Sequence, residues 1–148
     1  MSQSPAGSFA GDVTAAEAWD GLASEPQALL IDVRTKPEWS YVGIVDLSVL
    51  GKETLLVEWQ SFPAMAVNAD FAAVLAAELL RRGIGRETAL YFLCRSGVRS
   101  LAAARAMAAE GFDRCFNIAG GFEGPLDGSR HRGAVDGWKA AGLPWVQS

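Results

Sequence analysis

The sequence predicts one α/β domain with a central, mainly parallel sheet and helices on both faces. Three observations carry this. Residues 28–31 and 89–93 are continuous apolar runs, the pattern of strands covered on both faces rather than on one. Stretches with helical spacing alternate with such runs, and strand–helix–strand alternation folds into a parallel sheet with right-handed crossovers. Half of the 148 residues are apolar, enough for one sizeable core.

Taken in order, residues 1–12 read as a tail and 13–148 as the domain, with Val13 in a short edge strand. Thr14-Ala-Ala-Glu17 is a capping-box pattern that starts a helix through about Leu22, with Trp19 and Leu22 on its buried face. A core strand over 28–34 ends in charge at Asp32 and Arg34. Residues 54–59 read as the next strand, with Glu58 a candidate polar pocket wall. A helix follows, starting at Asn68: Phe71, Val74, Leu75 and Leu79 repeat at helical spacing, and Arg81-Arg82-Gly83 supplies a basic last turn and a stop. Between them, Trp59, Phe62 and Met65 read as a core cluster, with pocket lining as the alternative.

After the strand over 90–93, a helix from near Arg99 or Ser100 to Glu110 turns Leu101, Ala104 and Met107 inward, and Cys115-Phe-Asn-Ile118 forms a short last strand. Cys115, among apolar neighbours, reads as an inert buried thiol.

The chemistry concentrates at Cys94-Arg-Ser-Gly-Val-Arg99, where the apolar strand breaks into a polar turn and then a helix. The first N–H groups of that helix have no intrahelical partners and point at whatever the turn encloses. With the helix-end partial charge and two arginines, they favour Cys94 as a thiolate nucleophile. Gly97 lets the backbone curl so that its N–H groups converge. In open α/β sheets ligands collect at the carboxyl ends of strands, so Asp32 and Arg34 are expected on the same crevice.

A net charge of −4 and no basic stripe argue against nucleic acid as a partner. No apolar stretch is long enough for a membrane span. Two cysteines make no disulfide framework and the amino terminus lacks a leader pattern, which fits a reducing, cytoplasmic compartment. The single histidine, His131, has no companions at metal-ligand spacing, so no metal site is expected.

Cys94-Arg-Ser-Gly-Val-Arg99 behind an apolar strand resembles the active-site loop of the rhodanese (thiosulfate sulfurtransferase) family. Ile31-Asp-Val-Arg34 with Pro37-Glu-Trp39 is similar to that family's early Asp-Val-Arg…Glu-aromatic signature. Asn117-Ile-Ala-Gly-Gly121 resembles the double glycine after its last strand, and residues 137–144 its terminal helix and exit. Two departures stand out: Val42-Gly-Ile-Val-Asp46 replaces the usual Gly-His-Ile-Pro-Gly, and an insertion at about 122–136 replaces a short step.

The resemblance implies a rhodanese-like domain working without a cofactor. Cys94 takes the outer sulfur of a small anionic donor such as thiosulfate, becomes a persulfide, and passes the sulfur to a thiol, a protein acceptor or cyanide. Arg95, Ser96, Gly97, Val98 and Arg99 form the cradle, and Arg95 and Arg99 hold the donor, with Arg99 nearer the sulfur. Asp32 helps order the loop, and Arg34 pairs with Glu38 to brace the turn beneath it. The residues themselves also allow all three simply to cap and solvate a strand-to-helix turn, and for Arg34 and Glu38 that plainer reading is the favoured one.

Cysteine-dependent phosphatases and arsenate reductases are a second reading, but their loops place five residues between Cys and Arg and this one has four. A non-catalytic interaction module is a third, against which the nucleophile speaks. The insertion, with Arg130 and Arg132 flanking His131, reads as a solvated excursion or as a basic flap over the crevice.

Overall fold

The computed structural model describes residues 9–61 and 63–147. Its element order is β1 (Gly11–Val13), α1 (Ala15–Ser24), β2 (Leu29–Asp32), α2 (Lys36–Tyr41), β3 (Ile44–Val45), a 3-10 turn (Ser48–Leu50) and β4 (Leu55–Leu56). Then come β5 (Gln60–Ser61), β6 (Ala66–Val67), α3 (Phe71–Arg81), β7 (Leu90–Leu93), α4 (Val98–Ala109), β8 (Cys115–Ile118) and β9 (Trp145–Val146). Five strands form the main sheet in the order β1-β8-β7-β2-β4, every pairing parallel.

This is the expected α/β arrangement, and the apolar runs explain it. Along β7, Leu90 and Phe92 enter one core with α3 and α4, through Phe71, Leu75, Leu79, Ala104 and Met107. Tyr91 and Leu93 enter the other, with Leu22, Leu30, Phe122 and Trp138. A strand that buries alternate residues on opposite faces has no polar position to spare, hence the unbroken run. Each such large side chain contributes roughly 1.5–3 kcal/mol by burial.

The capping box at α1 forms as expected: Glu17 N–H donates to Thr14 Oγ1 at 3.1 Å, and Thr14 N–H to the Glu17 carboxylate at 2.9 Å. At the amino end, residues 1–8 lie outside the described residues. Phe9 packs against the core, and β1 takes in Gly11 and Asp12 as well as Val13.

Several expected elements differ. The strand over 54–59 shrinks to Leu55–Leu56. The backbone still runs beside β2, since Val57 and Trp59 N–H donate to the carbonyls of Asp32 and Val33. The chain then turns into the β5–β6 hairpin, where Gln60 pairs with Val67. The next helix starts at Phe71 rather than Asn68, because the Asn68 side chain accepts from Asp70 N–H (3.0 Å) and makes a turn of its own. Helix α4 begins slightly earlier than expected, at Val98. Residues 137–143 form turns, not a terminal helix: Gly137 and Gly142 take positive φ, and Trp138 is buried with its indole N–H donating to Pro144 O at 2.7 Å. Beyond them β9 pairs antiparallel with β3.

Candidate active site

Register places the site. In the sheet Asp32 stands beside Leu93, and Phe92 beside Asn117, so the carboxyl ends of β2, β7 and β8 converge just where Cys94 leaves β7. Gly97, at φ +106°, turns the chain into α4. A side chain there would run into the carbonyl oxygen of Ala119, so both the backbone twist and the close approach demand glycine. The turn brings Gly97 N–H to 3.1 Å from the Cys94 sulfur.

A second polar group reaches the same atom. Ser100 Oγ lies 3.2 Å from Cys94 Sγ and 2.5 Å from Asn117 Oδ1. Asn117 Nδ2 donates to Gly97 O (3.2 Å) and Asp12 Oδ1 (3.0 Å), which leaves its oxygen facing Ser100. The single hydroxyl proton of Ser100 can therefore serve Asn117 or a sulfur anion, but not both. Neither Ser100 nor Asn117 figured in the sequence reading of the site. The available signal was Asn117 itself, a buried amide within an otherwise apolar strand.

The loop backbone is held from the far side of the double glycine. Phe122 N–H donates to Cys94 O at 2.8 Å, and the N–H groups of Glu123 and Gly124 to Arg95 O. The beginning of the insertion thus braces the loop. The rest of it closes on itself: Asp127 accepts from the N–H groups of Ser129 and His131, and Arg132 donates to Gly124 O. Arg130, His131 and Arg132 are not among the residues that line the Cys94 cavity.

That cavity has a volume of about 400 Å³. Cys94, Arg95, Ser96, Val98 and Arg99 form its floor and one wall, and Glu38, Gln60 and Met65 the other. Of the described residues in this cluster, Met65 lines the pocket, whereas Trp59 packs edge-on against Phe71 at 5.1 Å; Phe62 lies outside the described residues. Glu58 does not line this cavity, and its carboxylate accepts from Lys36 N–H at 2.9 Å. A larger cleft of about 510 Å³ opens at the opposite ends of the strands, around Ser24, Glu87 and Arg114, away from Cys94.

The ion pairs differ from expectation. Arg34 does not pair with Glu38. It turns back on Asp32, Nη2 to Oδ2 at 2.7 Å with both side chains fully buried, and also donates to Gly43 O at 2.7 Å. Glu38 instead grips Arg99, Nη1 to Oε1 at 2.6 Å and Nη2 to Oε2 at 2.9 Å. Thr35 adds bonds from its N–H (3.2 Å) and hydroxyl (3.0 Å). Burial pushes the Glu38 carboxyl pKa up, but the Arg99 hydrogen bonds and charge, with Thr35, outweigh it and hold the group below its ordinary value. The same hydrogen bonds raise the Arg99 pKa. The Asp32 carboxylate accepts from the Arg34 N–H (3.1 Å) as well as from its guanidinium.

Cys115 is fully buried, 3.3 Å from Phe112 O, and burial raises its pKa to about 12. At pH 8 iodoacetamide should therefore spare Cys115 in the folded protein and reach it only after denaturation, which peptide mapping with a second label would read out. Labelling of Cys115 in the folded protein would contradict this burial.

Comparison with known proteins agrees with this architecture. An uncharacterized protein of Rickettsia rickettsii is 36% identical over 134 residues, spanning 90% of this chain and 95% of the relative. A Rickettsia montanensis protein described as lying in the dnaA 5' region is 35% identical over the same span. The crystal structure of Rv0390 from M. tuberculosis superposes with a TM-score of 0.82 at 45% identity, covering 95% of this chain and all of that one. The polysulfide-sulfur transferase homodimer from Wolinella succinogenes shares the fold, at TM-score 0.58 and 20% identity over 92% of this chain and 77% of that one. A family model described as the STR4 middle domain matches residues 10–148, and the chain belongs to that family.

Proposed function

We propose that the protein is a sulfurtransferase that carries sulfane sulfur as a persulfide on Cys94. The observation that carries this is the convergence of Gly97 N–H and the Ser100 hydroxyl on the Cys94 sulfur, at the floor of a cavity with Arg95 exposed beside it. The activity named for the Wolinella protein of the same fold supports it.

The thiolate attacks the outer sulfur of a donor X–S⁻, the X–S bond breaks, and X leaves with the electron pair. Thiosulfate would release sulfite in this way. The product is Cys94–S–S⁻, whose charge sits where the loop donors point. An acceptor thiolate then attacks the outer persulfide sulfur, regenerating Cys94 thiolate, and cyanide does the same to give thiocyanate. A phosphatase reading fits less well, because Glu38 already occupies the fork of Arg99 that a phosphate would need.

The test is intact mass. Protein incubated with excess thiosulfate should gain one sulfur atom, located on Cys94 by peptide mapping, and cyanide should strip it as thiocyanate. Absence of that adduct with any sulfane donor would overturn the assignment.

A further inference from the structure

We propose that Glu38 selects the sulfur donor by charge, so that the site takes sulfane sulfur carried on an organic group with at most one negative charge in preference to the thiosulfate dianion. This rests on the sulfur-transfer reading and says which donors that site serves.

Charge within the cavity distinguishes the donors. Its lining holds two guanidiniums, Arg95 and Arg99, against one carboxylate, Glu38. Once Cys94 is a thiolate, positive and negative charges are equal. The cations are also not equivalent. Arg99 spends both terminal nitrogens on Glu38, and the pair is largely shielded from solvent, 16% and 19% exposed. Thr35 donates to Oε1 of the same carboxylate from both its N–H and its hydroxyl, so Glu38 cannot swing away without losing two more hydrogen bonds. Arg95 is left exposed to solvent, where its attraction is weakened by water and salt.

Two donors with the same reacting sulfur differ in what they ask of this site. Attack on thiosulfate gathers three negative charges, one from the thiolate and two from the donor, and delivers a persulfide anion and sulfite dianion. Attack on an organic thiosulfonate, R–SO2–S⁻, gathers two, breaks the equivalent S–S bond and delivers the persulfide anion and a sulfinate. An organic hydropersulfide, R–S–S–H, brings none. Its R–S⁻ leaving group takes up the persulfide proton as the Cys94–S–S⁻ bond forms. With Glu38 in place the cavity has one weakly acting cation to offer, and each extra negative charge counts against the donor.

The remaining walls suit the organic group. Met65, Val98 and the Gln60 amide line a space of about 400 Å³, far more than an inorganic anion fills. Gln60 Nε2 donates to Met65 O at 2.9 Å across the β5–β6 hairpin, tying two of these lining residues together.

The test compares thiosulfate with methanethiosulfonate anion, near-isosteric donors in which a methyl group replaces one charged oxygen. The quantity read is the ratio of their kcat/KM values for sulfur loading of Cys94. Glu38→Gln, which keeps the shape and removes the charge, should shift that ratio about tenfold toward thiosulfate. Glu38→Asp, which keeps the charge, should leave the ratio near the parent's even if both rates fall. Arg95→Gln, at an exposed position, should move it the other way, because the dianion loses more. If Glu38→Gln slows both donors equally, Glu38 only braces Arg99 and the selection is overturned. An unchanged ratio in Arg95→Gln overturns it also, without recourse to a variant in the buried pair. Failure of both donors to load Cys94 in the parent protein would instead overturn sulfur transfer itself, and this inference with it.

Discussion

Cys94→Ser should abolish sulfur transfer, a loss of at least about a thousandfold, while the protein stays folded with a melting temperature near the parent's. The two parts of this expectation have separate causes. An alkoxide at that position is out of reach near neutral pH, and a serine has no sulfur to extend into a persulfide. The oxygen is nevertheless small enough to sit between Gly97 N–H and the Ser100 hydroxyl, so the cradle keeps its donors paired. Thiocyanate formation from a sulfane donor and cyanide measures the activity, and thermal unfolding measures the fold. A variant that retained activity would move the chemistry elsewhere in the chain. One that lost both activity and fold would make Cys94 structural.

Arg34→Met should be the most damaging single change to stability, at about 3–5 kcal/mol. For a domain of this size that is a fall of roughly 10 °C in Tm. The loss is not the strength of the ion pair itself. It is the cost of leaving Asp32 as a fully buried carboxylate without its partner, together with the Gly43 carbonyl that Arg34 also satisfies. The guanidinium further lies 4.3 Å over the Phe122 ring, so methionine recovers some packing but no charge. Adding Asp32→Asn to Arg34→Met should restore part of the lost stability by removing the stranded charge. Thermal melts of the two variants side by side decide it. Equal melting of Arg34→Met and the parent would show that the buried pair contributes nothing.

What the sequence revealed and what it hid divide along distance in the chain. The Cys94 loop was legible because its parts are contiguous: an apolar strand, a glycine and a helix start within ten residues need no partner to be read. The capping box at Thr14 and Glu17 was legible for the same reason. The ion pairs were not. Arg34 and Glu38 stand four apart, which suggests a brace. But Arg34 lies before α2 begins, and its side chain folds back under the sheet end to Asp32. Glu38, thus released, reaches Arg99 across 61 positions of sequence. The β5–β6 hairpin escaped because two-residue strands carry no periodicity. Residues 137–143 look helical in their small and apolar residues, yet two glycines at positive φ and a buried tryptophan make turns the better solution.

The braces on the Cys94 loop also set when in the life of the chain it becomes reactive. β7 is flanked by β2, made before it, and by β8, made after it. The groups that hold the loop, Asn117 on Gly97 and the N–H groups of residues 122–124 on Cys94 and Arg95, all come later in the sequence. A chain emerging from the ribosome therefore exposes Cys94 well before its cradle can close, as an ordinary thiol without converging donors. Even the first strand is completed only by the last of the sheet, since Gly11 pairs with Phe116. Such long-range closure makes folding slower than in a helical bundle of equal size. In exchange, a partly synthesised or misassembled chain lacks the braces that hold the Cys94 loop, and any chemistry proposed for that loop is confined to molecules that have finished folding.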